Sequence, residues 1–449
     1  MNTVSGNEKI NNFGFFGRVE TECATPPSLK KNFAWTLLGN LIYGSYQWLI
    51  LIVLAKLGSA EIVGQFALAM AITTPIIIFT NLSLRGVQAT DSKGQYGFGY
   101  YLILRLITSF LALILIYSVI NFCGYVGQIK MVILIIGIAK GVESISDVFY
   151  GLFQQHEWMS RISKSMIIKG LSSLGVFILI FFVTRDLIWC SMGLVLTWLA
   201  VLVVYDVHGG IIILHLNNKC AYYVFLKNYF KGILHLSFKF KKIINLMLLA
   251  LPLGITMLLS SLYVNIPRYF IEQLLGLKML GIFSALYAIY GFGGVVINAL
   301  GQSSLPRLAN EYGKGNLTAF RKLLFKLVTI ATIAGGIGIL LVSFFGKGIL
   351  FLFYGIEYAQ QVNTFVLLMI AAALGYVGSF LGFGGLAAQY FKSYVPLLVV
   401  DISILALLCK YYIPYYRLEG VAIAIIITAL IHVIGSLIII RLVFNKRDL

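Results

Sequence analysis

The chain has 449 residues, of which 60% are hydrophobic and 11% charged. Soluble domains carry roughly 25% charged residues, so a water-soluble globule is excluded. Its 34 Lys and Arg outnumber 16 Asp and Glu to give a formal net charge of +18, an excess that fits nucleic acid, anionic lipid or membrane topology until its placement is read.

Residues 1–32 are polar and lack the basic start, short apolar run and cleavage site of a signal peptide, so they read as a cytoplasmic tail. Six apolar blocks follow, at 33–55, 62–83, 97–120, 131–152, 166–184 and 187–207. Each holds about 20 residues, enough for a helix to cross about 30 Å of hydrocarbon. The stretch 208–242 then interleaves Lys219, Lys227, Lys231, Lys239, Lys241 and Lys242 with tyrosines and phenylalanines. It suits either a basic amphipathic helix on the cytoplasmic leaflet or a solvated linker. Six more blocks lie at 243–264, 279–301, 323–346, 362–386, 394–413 and 418–440, before a short tail over 441–449. None shows the alternating polarity of a transmembrane barrel strand.

With the N-terminus inside, 24 of the 34 Lys and Arg fall on the inner side and eight on the outer, while Arg105 and Lys140 lie within spans. The positive-inside rule then sets both termini in the cytoplasm and removes the need for a nucleic-acid partner. The five cysteines have no paired or metal-type spacing, so neither a disulfide framework, a metal site nor a cofactor is indicated. The stretch GQFALAMAI (64–72) is echoed by GIFSALYAI (281–289) at an offset of 217. Two six-span halves in the same orientation imply a pseudo-two-fold axis along the membrane normal. The expected fold is therefore an all-α polytopic membrane protein, about twelve transmembrane helices in two six-helix lobes (33–207 and 243–440) around a central cavity.

Ionisable groups at membrane depth cost about 2.5–3.5 kcal/mol on insertion scales and therefore face cavities or one another. In the fourth span, Lys140, Glu143, Asp147, Gly151 and Gln154 recur at spacings of three and four, beside Tyr150. They share a helical face about 80° wide, descending from mid-membrane to the cytoplasm. Lys140 can pair with Glu143 and still attract an anion, unless the span starts late and the carboxylates sit at its wet end. Arg105 in the third span either faces the cavity or snorkels. Asp401 in the eleventh span needs a cavity or a basic partner. Near the outer end of the seventh span, Asn265-Ile266-Pro267-Arg268 joins an amide, a proline that frees a backbone carbonyl and a guanidinium suited to phosphate or to interface anchoring. His432 in the twelfth span is a titratable group or a neutral interhelical donor. With no nucleophile and base pair and no phosphate loop, the chain reads as a carrier and not an enzyme.

The strings LAKLGSAEIVGQFALAMAITTP (54–75), NLSLRGVQATD (81–91), ESISDVFYGLFQQ (143–155) and NIPRYFIE (265–272) resemble those of Wzx-type O-antigen and capsular polysaccharide flippases of the multidrug/oligosaccharidyl-lipid/polysaccharide exporter superfamily. The resemblance covers about 30–440. It implies alternating access by two lobes, and transfer of an undecaprenyl pyrophosphate-linked oligosaccharide from the cytoplasmic to the periplasmic leaflet of the bacterial inner membrane. It also implies membrane lipids, a polysaccharide polymerase and a chain-length regulator as partners. Arg85, Glu143, Asp147, Gln154, Asn265 and Arg268 fall within the family-like strings. Joined with depth and periodicity, the candidate substrate contacts are Arg85, Arg105, Lys140, Gln154, Asn265 and Arg268. Glu143, Asp147 and Asp401 are candidates for proton or sodium-ion coupling. A drug exporter of the same superfamily, a lipid-linked peptidoglycan precursor flippase and an oligosaccharide polymerase or ligase are the alternatives; the short outer loops disfavour the last.

Overall fold

The computed structural model describes residues 29–91, 94–216 and 240–445; most of the basic 208–242 stretch lies outside the described residues. The first half is built from α1 (Leu29–Leu57), α2 (Ala60–Asn81), short α3 (Leu84–Thr90), α4 (Phe98–Phe122), α5 (Gly127–Gln155), α6 (Met159–Thr184) and α7 (Leu187–Val201). A single π turn over Leu202–Val207 leads from α7 into α8 (His208–Leu216). The second half holds α9 (Phe240–Leu275), α10 (Leu277–Gly313), α11 (Leu317–Phe353), short α12 (Ile356–Ala359), α13 (Val362–Ala387) and α14 (Phe391–Asn445).

Ten of these helices are long and apolar enough to cross a membrane. Two further crossings explain the six-plus-six pattern. Lys130, Lys140, Glu143 and Asp147 interrupt the apolar surface of α5, although its 29 residues suffice to span. The 55 residues of α14 would reach about 80 Å as one rod, more than twice the hydrocarbon thickness. Instead α14 breaks at Arg417 (φ 51°), three residues after Pro414, and returns as a second span. The helices outrun the apolar blocks. In particular α9 continues to Leu275, so Arg268 lies inside a helix and not at its end.

The two lobes repeat one packing plan. In the first, α1 packs on α6, α2 and α4 on α5, and α5 on α7; in the second, α9 packs on α14, α10 and α11 on α13, and α13 on α14. The lobes meet where α2 crosses α10. A methyl at Gly64 would overlap the Leu277 carbonyl, and one at Gly281 would overlap the Ala60 carbonyl. Both pairs map onto each other through the offset of 217, so the pseudo-two-fold passes through this glycine crossing. Only glycine permits such backbone approach.

Hydrogen bonds join the lobes on the same side, where α1 ends and α2 begins. Trp48 Nε1 donates to the Tyr354 hydroxyl at 2.7 Å, and the Tyr125 hydroxyl donates to Glu272 Oε2 at 3.1 Å. About two thirds of the way along α2, Pro75 has no N–H for the Ala71 carbonyl one turn earlier. The Tyr269 hydroxyl of α9 donates to that carbonyl at 2.5 Å, so a proline in one lobe makes the acceptor for the other. At the α3 end the lobes touch through apolar side chains, with Ile243, Leu246 and Ala250 of α9 against Tyr101, Leu104 and Val148.

Candidate functional site

Below the glycine crossing, a cavity of about 240 Å3 lies between the lobes, lined among others by Phe66, Met70 and Thr74 of α2, Trp198 of α7, and Arg268 and Ser284 of the second lobe. Lys140 and Thr74 also line a second recess of about 320 Å3 that continues toward the α3 end within the first lobe. Its wall carries Tyr43, Asn81, Arg85, Glu143, Asp147, Tyr150 and Lys169. A third, mostly apolar groove of about 290 Å3 runs between α1 and α10 and shares Gln47, Leu51 and Ala288 with the interlobe cavity.

The polar face of α5 supplies the centre of the site. Lys140 Nζ donates to Glu143 Oε2 at 2.8 Å and lies 5.4 Å over the Trp198 ring, and Glu143 also accepts the Tyr43 hydroxyl of α1. One turn on, Asp147 stands between two arginines. Arg105 Nη2 reaches it at 3.2 Å and Arg85 Nη1 at 3.6 Å. Arg85 also donates from Nε to Gln154 Oε1 at 3.0 Å and lies over the Tyr150 ring. α3 can bring Arg85 there because Gly151 leaves room for Gln88 and the α3 backbone.

Arg105 is fully buried behind Asp147, with Nη1 donating to Asn81 Oδ1, so its guanidinium holds the carboxylate from the side away from the recess. Across the interlobe cavity, Arg268 is held by a short local ladder. Asn265 Nδ2 donates to the Ser261 carbonyl at 2.8 Å, its Oδ1 accepts Arg268 Nη1 at 2.6 Å, and the guanidinium lies 5.1 Å from the Tyr287 ring centre. No carboxylate of the described residues pairs with Arg268. Asp401 belongs to neither cavity wall. It is fully buried in the second lobe, where Oδ2 meets His432 Nδ1 at 2.7 Å.

The structure thus gathers Arg85, Lys140, Glu143, Asp147 and Gln154 in one recess, places Arg105 behind it, sets Asn265 and Arg268 opposite, and keeps Asp401 apart. Four participants escaped the sequence reading. Tyr43 and Asn81 are neutral partners from other helices, for which spacing along α5 gives no signal. Lys169, near the start of the fifth span, reads as one more inner-side charge, yet it is buried against the recess. Asp206, at the end of the sixth span, is buried beside it, and its only sequence cue is the following Gly209-Gly210 pair.

The chain matches the sequence profile of the family described as polysaccharide biosynthesis protein over residues 29–311. It belongs to that family. A second profile, MatE, matches residues 252–411. The capsular polysaccharide biosynthesis protein CapF of Staphylococcus aureus is 29% identical over 410 residues, covering 90% of this chain and 97% of that one. Among solved structures, an inward-facing multidrug resistance MATE family transporter of the MOP superfamily aligns with a TM-score of 0.67 at 14% identity, covering 92% of this chain and 94% of that one. A point mutant of the Vibrio cholerae MATE transporter VcmN aligns at 0.61 and 14% identity, covering 93% and 96%. A MOP superfamily transporter of Pyrococcus furiosus, described as having a binding pocket of reversed polarity, aligns at 0.56 and 16% identity over 92% and 94%. This polysaccharide biosynthesis family member is a polytopic membrane protein whose two-lobed fold is similar to that of MOP superfamily transporters.

Proposed function

We propose that this protein is a flippase that carries an undecaprenyl pyrophosphate-linked oligosaccharide repeat unit from the cytoplasmic to the outer leaflet of a bacterial inner membrane, with both termini cytoplasmic, for capsule or related glycan assembly. The observation that carries the reading is the interlobe cavity with one cation from each lobe, Lys140 and Arg268, the second without a carboxylate partner among the described residues. A guanidinium and an ammonium lining the same interlobe cavity suit a doubly charged pyrophosphate, which cannot cross hydrocarbon unaided. Contact with both would draw the lobes together around the head group. The same two charges repel a cationic drug.

The groove between α1 and α10 gives the prenyl chain its place. It leads from the cavity to a lipid-facing surface bearing Leu41, Val295 and Val296, so the tail can stay in lipid while the head occupies the cavity. Asn265 positions Arg268, and Arg85 and Gln154 extend the polar wall along the recess for sugar hydroxyls. Arg105 holds Asp147 in place. Coupling to a proton or sodium ion falls to Glu143 and Asp147 in the first lobe and Asp401 with His432 in the second, carboxylates whose pairing partners compete with a cation.

Deletion of the gene should leave lipid-linked repeat units accumulating on the cytoplasmic face, and the wild-type gene should clear them. Arg268→Glu and Lys140→Glu, expressed at wild-type levels in the membrane, should fail to do so. Normal surface glycan in cells whose only copy is R268E would overturn the reading.

A further inference from the structure

Lys169 of α6 and Asp206 of the π turn form a buried ion pair with an unusual geometry. The side chains are 1% and 0% exposed, yet Nζ stands 3.8 Å from Oδ2, beyond hydrogen-bond reach. The ammonium instead donates to neutral oxygens, Ser146 Oγ at 3.0 Å and the Tyr150 hydroxyl at 3.3 Å. Asp206 Oδ2 accepts no hydrogen bond, while Oδ1 accepts the Ser165 hydroxyl at 2.6 Å. Because Ser165 gives its proton to Asp206, the Tyr150 hydroxyl, 2.8 Å away, donates to Ser165 and accepts from Lys169. Ammonium and carboxylate are thus linked through two hydroxyls of fixed polarity while their direct contact is left loose.

Position gives this looseness a use. Lys169 lines the recess beside Lys140, Glu143, Asp147 and Arg85, whereas Asp206 stands behind it, outside the lining. Asp206 is built into that place. Gly209 and Gly210 bring α8 onto α5, where added methyls would stand 2.9 Å from Phe153 Cζ and 2.6 Å from Phe149 Cδ1. The intervening π turn aims the carboxylate at α6. A lysine has three donors, and two are spent on hydroxyls. The third is shared between a carboxylate it does not touch and the space in front of it.

We propose that Lys169 is a further contact for the ligand's anionic group and that Asp206 is its resting counter-ion, from which an arriving phosphate draws the ammonium away. The inference rests on the reading of the cavity as a pyrophosphate site. It assigns the two residues opposite signs: Lys169 adds to affinity and Asp206 subtracts from it, acting only through Lys169.

The test measures binding of inorganic pyrophosphate by calorimetry to the purified full chain in phosphatidylcholine nanodiscs. Lys169→Met should weaken binding about tenfold, the loss of one hydrogen bond to a charged group. Asp206→Asn should tighten it several-fold, and K169M/D206N should match K169M. If D206N does not fold, Asp206→Glu replaces it; the longer carboxylate comes nearer Nζ and should weaken binding. Weakening by D206N in a folded protein, an unchanged or tightened D206E, or additive losses in the double variant would overturn the proposal. Binding that falls in Arg268→Gln but ignores positions 169 and 206 overturns it while the cavity reading stands. Absence of binding by the wild type, or indifference to R268Q, removes that reading first and the proposal with it.

Discussion

Asp147 stands between Arg105, which has no exposed surface, and Arg85, which keeps about a third of its side chain open. The two pairs therefore have different worth. Asp147→Asn leaves the Arg105 guanidinium buried with only Asn81 to meet it, and breaking a buried pair from one side costs about 3–5 kcal/mol. Arg85→Gln breaks a half-exposed pair worth about 1 kcal/mol or less. Thermal unfolding of the detergent-solubilised variants should show a large drop for D147N and a small one for R85Q. The Tyr269 hydroxyl gives a second contrast. Tyr269→Phe orphans the Ala71 carbonyl at a cost of about 1–2 kcal/mol, and Pro75→Ala should abolish most of that cost by restoring the helical N–H one turn along. A double-mutant cycle in unfolding free energy measures the coupling. At this scale the sequence was half legible. Charges at helical spacing on α5 announced themselves, but Lys169 sat among topology charges and Asp206 at a span's edge. Nothing in one chain's local pattern tells which buried groups from distant helices will meet.

Among the elements, the crossing of α2 and α10 depends on two hydrogen atoms in place of side chains. Gly64→Ala and Gly281→Ala each press a methyl into a carbonyl of the opposite lobe, and overpacking of this kind costs about 1–3 kcal/mol. Because the two sites are equivalent under the pseudo-two-fold, the variants should lose similar stability. Both should also raise maleimide labelling of a cysteine placed at Ser284 in the cavity beneath, since the α1–α2 end is forced apart. Equal stability but unchanged labelling would show that the helices yield by sliding. The repeat GQFALAMAI and GIFSALYAI was visible in the sequence as a likeness between halves. Its role as the seam was not, because close backbone approach has no residue signature beyond glycine, and the apolar segments hold many glycines. Span count was legible from apolar length for most blocks, and for α5, whose charges interrupt the apolar run, from the helical spacing of those charges. Helix ends were not, since helices continue through polar turns that the hydrocarbon does not require.

In the whole molecule, two lobes of matching plan are joined by hydrogen bonds on one side and by apolar contact with a Lys242–Tyr100 cation–π pair on the other. The proposed alternating-access cycle requires the Trp48–Tyr354 and Tyr125–Glu272 bonds to break. A bismaleimide bridge across Trp48→Cys and Tyr354→Cys, in a chain whose native cysteines are replaced, should stop flipping without unfolding the protein, and a cleavable linker should restore it on cleavage. Continued transport with the bridge intact would mean that the lobes do not part there. The polarity of the two sides was beyond the sequence, since it depends on which loop-end residues of one lobe face the other.

The distribution of charge about the cavity has an electrical consequence. Arg85, Arg105, Lys140, Lys169 and Arg268 carry five formal positive charges, and Glu143, Asp147 and Asp206 carry three negative ones. On the proposed reading a pyrophosphate diester brings two more negatives, so the laden site is electroneutral while the vacant one bears a surplus of two. A negative-inside voltage then pulls the vacant form back, with up to about 2.3 kcal/mol per charge for each 100 mV. Under that proposal, and with no coupling cation bound, the return stroke is the electrogenic half of the cycle.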